Sequence, residues 1–215
     1  MDDNAFNFFY KDHVPFARVC FLADKVVRIT AANSGTFSEA AFASDVLLQQ
    51  KPYCIDPERN GRDKEQKNGS ELHSTSLKIV HDHQDNTLLF ENREGDVFLK
   101  QNFRTESSRD SVCLEIETHP DEGFYGFGEW FNGFRRQKDL LVLYNQESPS
   151  FTQHRQTYSA FPCFLSDKGY MVFVLNAHAG KAFINKPNGK MKLQFDGGYL
   201  DYIVKIGRAS CRERV

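Results

Sequence analysis

A few groups of residues in this chain are of types that carry chemistry. Glu115 and Glu117 stand two apart in a stretch, Val112 to Thr118, where apolar and polar residues alternate. Both carboxylates therefore fall on one face of a strand. Two such groups about 5 Å apart can cleave a glycosidic bond, but alternation on a solvent-facing strand accounts for them more simply. His81 and His83 likewise put two imidazoles on one face. A zinc site needs a third and a fourth ligand, and His73 could join only if a single strand ran unbroken from Leu72 to His81. The pair reads as a polar strand end, and no metal is expected. His119, beside Pro120, reads as a turn residue. His178 follows a strand end, without a surrounding pattern for proton transfer. The sharpest motif is Phe124-Tyr125-Gly126-Phe127-Gly128-Glu129. Its glycines permit positive φ or close backbone approach, with aromatics packing around them. No GK[ST] or GxGxxG follows, so nucleotide binding is excluded and no cofactor is expected.

The elements that must position these residues are strands. The chain has 215 residues, long enough for one sizeable β domain. Twenty phenylalanines supply too much apolar bulk for a disordered chain and favour pleated surfaces. Basic and acidic residues number 27 and 29, and this balance gives no basis for nucleic acid or an anionic membrane as partner. Five cysteines, odd in number and without close spacing, argue against a disulfide framework or a zinc cluster. Cys20, Cys113 and Cys163 sit in apolar runs and read as buried thiols of a reducing compartment. No basic-then-apolar leader opens the sequence, and no run approaches the ~20 apolar residues of a membrane span. A soluble, cytoplasmic protein is the expectation.

Ala17 to Thr30 reads as a hairpin turning at Ala23-Asp24. Ser38 to Leu48 is weakly helical, and Asp56 to Ser70 is nearly devoid of apolar residues, an exposed loop or mobile insertion. Strands then follow closely: Leu72 to His81, Thr87 to Phe90, Val97 to Gln101, Val112 to Thr118, Leu140 to Tyr144, Ala160 to Leu165, Tyr170 to Asn176, Lys181 to Ile184, Met191 to Phe195 and Leu200 to Val204. About a dozen short strands without helical periodicity predict an all-β antiparallel sandwich. The final residues, 206–215, carry several arginines and no strand pattern. One reverse translation of them matches a common sequencing-adapter oligonucleotide, so 1–205 is expected to be the natural domain and 206–215 a non-native tail.

The order of features along the chain carries a resemblance. FYGFGE is followed by Leu143-Tyr144-Asn145-Gln146-Glu147, then Thr157-Tyr158-Ser159-Ala160-Phe161-Pro162-Cys163-Phe164-Leu165, then Gly169 to Asn176 (GYMVFVLN), then Gly198-Tyr199-Leu200-Asp201-Tyr202. This series resembles the N-terminal, galactose-mutarotase-like supersandwich domain of glycoside hydrolase family 31, the α-glucosidase family, over most of Ala17 to Lys205.

The resemblance implies a domain that precedes a (β/α)₈ barrel, which this sequence does not contain. The family's nucleophile and acid/base are barrel aspartates, so no catalytic residue is assigned here. The intact enzyme it implies is a retaining α-glycosidase, an α-glucosidase in the commonest case. Such an enzyme hydrolyses O-glycosidic bonds through a covalent intermediate, and this chain alone is expected to be inactive. In the family, the acid of the aromatic-Asn-x-acid loop reaches the sugar beside the cleaved bond. That position is Glu147 here, where Asp is commoner, flanked by Asn145 and Gln146. Carboxylates and amides suit sugar hydroxyls, which both donate and accept hydrogen bonds. Trp130, Phe131 and Phe134 could stack on sugars, but read better as an interface to a neighbouring domain. A stand-alone carbohydrate-binding module or an aldose-epimerase of mutarotase type would share the same fold.

Overall fold

A computed structural model describes residues 5–9, 15–31, 69–106, 111–147, 157–185 and 188–207. The segment expected to be weakly helical, and all but the end of the one expected to be an exposed loop, lie outside the described residues, as does nearly all of 206–215.

Fifteen strands form two antiparallel sheets among the described residues. The first sheet holds β1 (Ala5–Phe9), β2 (Pro15–Ala23), β3 (Val26–Ala31), β9 (Phe124–Gly128), β11 (Ala160–Ser166), β12 (Tyr170–Val174) and β15 (Asp201–Ile206). Its order is β1-β2-β3-β15-β12-β11-β9. The second holds β4 (Gly69–His73), β5 (Lys78–Asp82), β6 (Thr87–Glu91), β7 (Val97–Glu106), β8 (Ser111–Glu117), β10 (Lys138–Leu143), β13 (Gly180–Asn185) and β14 (Lys190–Phe195). Its order is β10-β13-β14-β8-β7-β6-β5-β4.

The strand at Leu72 to His81 is two strands. Ser74 folds the chain back: its hydroxyl accepts from the backbone N–H of Ser76 and Leu77, at 3.3 and 3.0 Å. A serine side chain at this offset substitutes for a backbone turn. Asp24, in the β2–β3 turn, receives the Thr75 and Ser76 hydroxyls and so ties the hairpins of the two sheets together.

Period-two alternation sends one face of each sheet inward. Val27, Ile29, Phe164, Val172, Tyr202 and Val204 of the first sheet meet Ile79, Phe90, Leu114, Leu141, Leu193 and Phe195 of the second in one buried cluster. A polar bridge crosses this core from the Gln101 amide N–H to the Tyr202 hydroxyl. Burial pushes the Tyr202 phenol well above its usual pKa, with the Asp201 charge adding to it. Cys113 is buried as expected, whereas Cys20 and Cys163 are half-buried. Among the described residues no helix is long and apolar enough to cross a membrane.

Candidate functional site

The FYGFGE motif is β9 and its exit. Gly126 and Gly128 have φ of +113° and +102°, and Phe127 between them has +67°. A Cβ on Gly128 would lie 2.0 Å from the Ser159 carbonyl oxygen, and one on Gly126 2.8 Å from that of Cys163. Both expected uses of the glycines are therefore present: positive φ and close approach to the neighbouring strand. The kink turns Phe127 inward, where its ring stacks on Phe164 at 5.0 Å. The Phe127 carbonyl then accepts the Trp130 indole N–H at 2.8 Å. Arg136 covers the Trp130 ring at 5.8 Å while donating to Asn132 and Asp139.

Beneath β9 lies a buried carboxylate. Glu122 accepts from the Tyr170 hydroxyl at 2.7 Å, from the Ser166 hydroxyl, and from the His119 backbone N–H at 3.0 Å. Burial, reinforced by the Glu122 charge, holds the Tyr170 phenol well above its usual pKa. The network fixes the β8–β9 loop to the β11–β12 turn. It has no signature in sequence, because the three side chains are spread over 48 positions.

At the other end of β9, Glu129 leads into the loop that carries Glu147. The Glu129 N–H donates to the Ser159 carbonyl at 2.8 Å, and the Thr157 hydroxyl donates to the Glu129 carbonyl. Asn145 pairs with Thr157 in an isolated parallel bridge, and the Gln146 N–H donates to the Thr157 carbonyl at 3.2 Å. The Asn145 side-chain oxygen accepts from the Ala160 N–H at 2.6 Å. Thr157 is thus the buried peg on which the FYGFGE exit and the 144–147 loop both hang.

From this base Tyr144 and Glu147 project into solvent, and Gln146 is half-buried. Tyr144 and Asn145, with Ala160, Pro162, Asn176 and His178, line a cleft of about 280 Å³. Asn176 organises its far wall. Its amide donates to the carbonyls of Gly197 and Tyr199, at 2.9 and 3.0 Å, and its oxygen accepts from the His178 N–H at 2.8 Å. The His178 ring sits against Gly197 and Gly198, where a Cβ would come within 2.8 and 2.7 Å of it.

The remaining candidates do not converge on one site among the described residues. His81 is buried on the core side of β5 and meets His83 edge-on at 4.4 Å. Burial, with the neighbouring His83, lowers its pKa to about 4. His73 lies on the other face of the sheet, against Glu71 at 3.2 Å, because the chain reverses between β4 and β5. Glu115 and Glu117 face outward on β8, and Glu117 pairs with Lys100 at 3.0 Å.

Comparison with known proteins follows this geometry. The family profile of the glycosyl hydrolase 31 N-terminal galactose mutarotase-like domain matches residues 17–181. An isomaltosyltransferase of Sporosarcina globispora is 23% identical over 181 residues, covering 78% of this chain but 15% of that protein. A family 31 dextranase of Flavobacterium johnsoniae superposes with a TM-score of 0.75 at 18% identity, over 89% of this chain and 24% of that one. A family 31 α-xylosidase from a soil metagenome, solved with xylose, gives 0.73 at 15% identity, over 96% and 32%. The chain therefore spans less than a third of the length of each of these relatives.

Proposed function

As the chain belongs to the N-terminal, galactose-mutarotase-like domain family of glycoside hydrolase family 31, we propose that it is the sandwich domain of a larger carbohydrate-processing enzyme and supplies one wall of that enzyme's sugar site. The observation that carries this reading is the pegged loop. Thr157, Asn145 and the Glu129 backbone hold Tyr144 to Glu147 in fixed register while Tyr144 and Glu147 project outward. A rigid base under exposed polar and aromatic tips is the arrangement expected of a loop that touches a hydroxyl-rich ligand.

In this reading Glu147 accepts hydrogen bonds from the sugar on the leaving side, Gln146 assists it, and Asn145 holds the loop through its bond to Ala160. The reaction is hydrolysis of an α-glycoside, an α-glucoside by preference, through two carboxylates that lie outside this chain. The chain alone should release nothing from a chromogenic α-glucoside.

The experiment is Glu147→Gln in the longer enzyme. Loss of a charge-assisted hydrogen bond to a dry sugar hydroxyl costs about 1.5–3 kcal/mol. The expected result is a KM raised about tenfold or more for a disaccharide, with kcat and aryl-glycoside kinetics little changed. Equal loss of kcat on both substrates would instead place Glu147 at the transition state. No change on either would remove it from the site.

A further inference from the structure

The outward face of the eight-stranded sheet carries a second cleft, of about 200 Å³, beside the β5–β6 turn. Strand register sets its walls. Leu88, Leu99, Leu114 and Ile116 point into the core. By alternation Thr87 of β6, Asn102 of β7, and Glu115 and Glu117 of β8 share the opposite face. Lys190 of β14 stands directly opposite Glu117, and Asp85 closes the rim from the turn. Local bonds fix that turn. Asn86 takes a φ of +52°, the Asp82 carboxylate accepts from the Gln84 N–H at 2.8 Å, and the Asn102 amide donates to the Asp85 carbonyl at 3.2 Å. Thr87, which follows the turn, is only 5% exposed although it stands on the outward face. Its hydroxyl is buried and has no hydrogen-bond partner among the described residues, and the residue lines the cleft. A buried hydroxyl left unbonded is costly, and a valine would fill this strand position without that cost. An oxygen placed here is a recognition group rather than a packing group.

The groups around it decide what is recognised. The three carboxylates accept hydrogen bonds, the Lys190 ammonium donates, and the Thr87 hydroxyl does both. Lys190 and Lys100, the latter on Glu117 at 3.0 Å, offset two of the three negative charges. The described residues hold no cluster of acids, imidazoles and thiols able to bind a metal ion. A small cation is therefore a poor fit, and an anion meets net negative charge. A neutral ligand whose groups each donate and accept matches the whole set, and a sugar ring is such a ligand. The volume suits one ring, being below the roughly 300–1,000 Å³ of sites for larger ligands.

We propose that this cleft binds a single sugar residue through Thr87, Asn102, Glu115 and Lys190, as a second carbohydrate site on the chain. Lys190 and Phe195 are the two ends of β14, and Phe195 lines the cleft of Tyr144 and Asn145. Five residues of strand put about 17 Å between the two clefts, too far for one ring to span. The second site therefore stands whether or not Glu147 touches a sugar. Among the described residues no aromatic ring lines it. A ring of about a dozen heavy atoms, held by hydrogen bonds without stacking, binds with millimolar affinity.

The test is amide chemical-shift mapping on the 215-residue chain, titrated separately with methyl α-D-glucopyranoside, D-xylose and calcium chloride. Saturable shifts are expected at Thr87, Asn102 and Lys190 with at least one of the sugars, with a Kd of about 1–10 mM, and none there with calcium. Thr87→Val should weaken binding at least about tenfold without lowering Tm; a hydroxyl that served only the fold would lower Tm and leave binding alone. Lys190→Ala, on the exposed rim, touches no buried group and should weaken binding about threefold or more. Glu147→Gln should leave these shifts as they are. Shifts that stay linear to about 100 mM sugar, or that keep their Kd in both Thr87→Val and Lys190→Ala, overturn the proposal. Saturable shifts confined to 144–147 and 176–178 overturn it while supporting the reading of the Glu147 loop. Saturation by calcium instead of sugar assigns the cleft to a cation and overturns it as well.

Discussion

The two sheets bury similar residues inward and differ in how much charge they present outward. Across the eight-stranded sheet the outward side chains form a ladder of charge. Lys100 meets Glu117 at 3.0 Å, and Lys78 lies between Glu71 and Glu91 at 3.3 and 3.1 Å. Lys192 and Glu115 stand opposite each other on β14 and β8. These groups remain half-wet. Across the central and β9-side strands of the seven-stranded sheet the outward positions hold Ile203, Met171, Phe173, Phe161, Cys163, Leu165 and Tyr125, with Lys205 the charge among them. The ion pair on that sheet, Arg28–Asp201, has its carboxylate fully buried. Hydration explains the difference. A face that stays in water keeps its charges at little cost, whereas a face shaped for a partner sheds them and buries those it retains. Substitutions of one chemical type should therefore cost far more on one sheet than on the other.

The largest contrast is in backbone. Gly128→Ala should cost about 4 kcal/mol or abolish folding, because its Cβ meets the Ser159 carbonyl at 2.0 Å and its φ is +102°. Gly95→Ala, in the β6–β7 turn of the charged sheet, has a similar φ of +88° but open space around the Cβ. It should cost only about 1–2 kcal/mol of backbone strain. Urea denaturation of both variants decides it, and equal costs would mean that the β9–β11 contact relaxes freely.

Next in size is the buried carboxylate. Asp201→Ala leaves Arg28 without its counter-charge and should cost about 3–5 kcal/mol. The matched substitution on the charged sheet, Glu117→Ala, should cost under about 1 kcal/mol.

Histidine gives a pH test at the charged sheet's inner face. Burial and the neighbouring His83 lower the His81 pKa from 6.5 to about 4, so the folded state prefers neutral imidazole. A lowered folded pKa means that stability is fully present above pH 6.5. It falls as pH drops from 6.5 toward 4 and is flat below that. The total loss is about 3 kcal/mol, an order-of-magnitude figure. Denaturation midpoints between pH 7 and 4 should show this slope, and His81→Gln should flatten it. The seven-stranded sheet has no described histidine in its strands, so the slope belongs to one sheet.

Much of the fold was legible because one pattern, alternation, decides both strand and face. Val112 to Thr118 and Met191 to Phe195 read correctly for that reason. The glycines of FYGFGE were legible because few other roles suit two glycines between aromatics. The break at Ser74 to Leu77 was not, since Ile79 and His81 keep strand spacing and the reversal rests on local bonds of Ser74, its N–H to the Leu77 carbonyl at 2.8 Å and its hydroxyl accepting from the Leu77 N–H at 3.0 Å. Ala5–Phe9 pairs with β2 yet has too few residues to show a period. At the candidate site, Tyr144 to Glu147 was visible only through resemblance. Its support was not visible, because the Thr157 hydroxyl bonds a backbone carbonyl, that of Glu129, which lies 28 positions away and which any residue would supply. Arg28 and Asp201 are 173 apart. The one signal for that pair was an acid inside the otherwise apolar run Leu200 to Val204.

The smallest expected effect tests the origin of the contrast most directly. Lys100 and Glu117 are directly opposed on β7 and β8, with side chains 31% and 58% exposed. At that exposure water and salt compete with the pair, and two long side chains lose rotamer freedom in making it. A double-mutant cycle of Lys100→Ala and Glu117→Ala should give a coupling of about 0.2–1 kcal/mol. It should shrink toward zero in 1 M salt, where the Debye length is about 3 Å. The same cycle on Arg28 and Asp201 should give several-fold more coupling, and salt should change it little, because ions do not reach a carboxylate with no exposed surface. If both couplings collapse in salt, Asp201 is reached by solvent and the margin of the apolar face is open. If neither collapses, the charged ladder is itself shielded. The second sheet would then need a cover of its own, and the difference between the two faces would be one of composition rather than of contact with water.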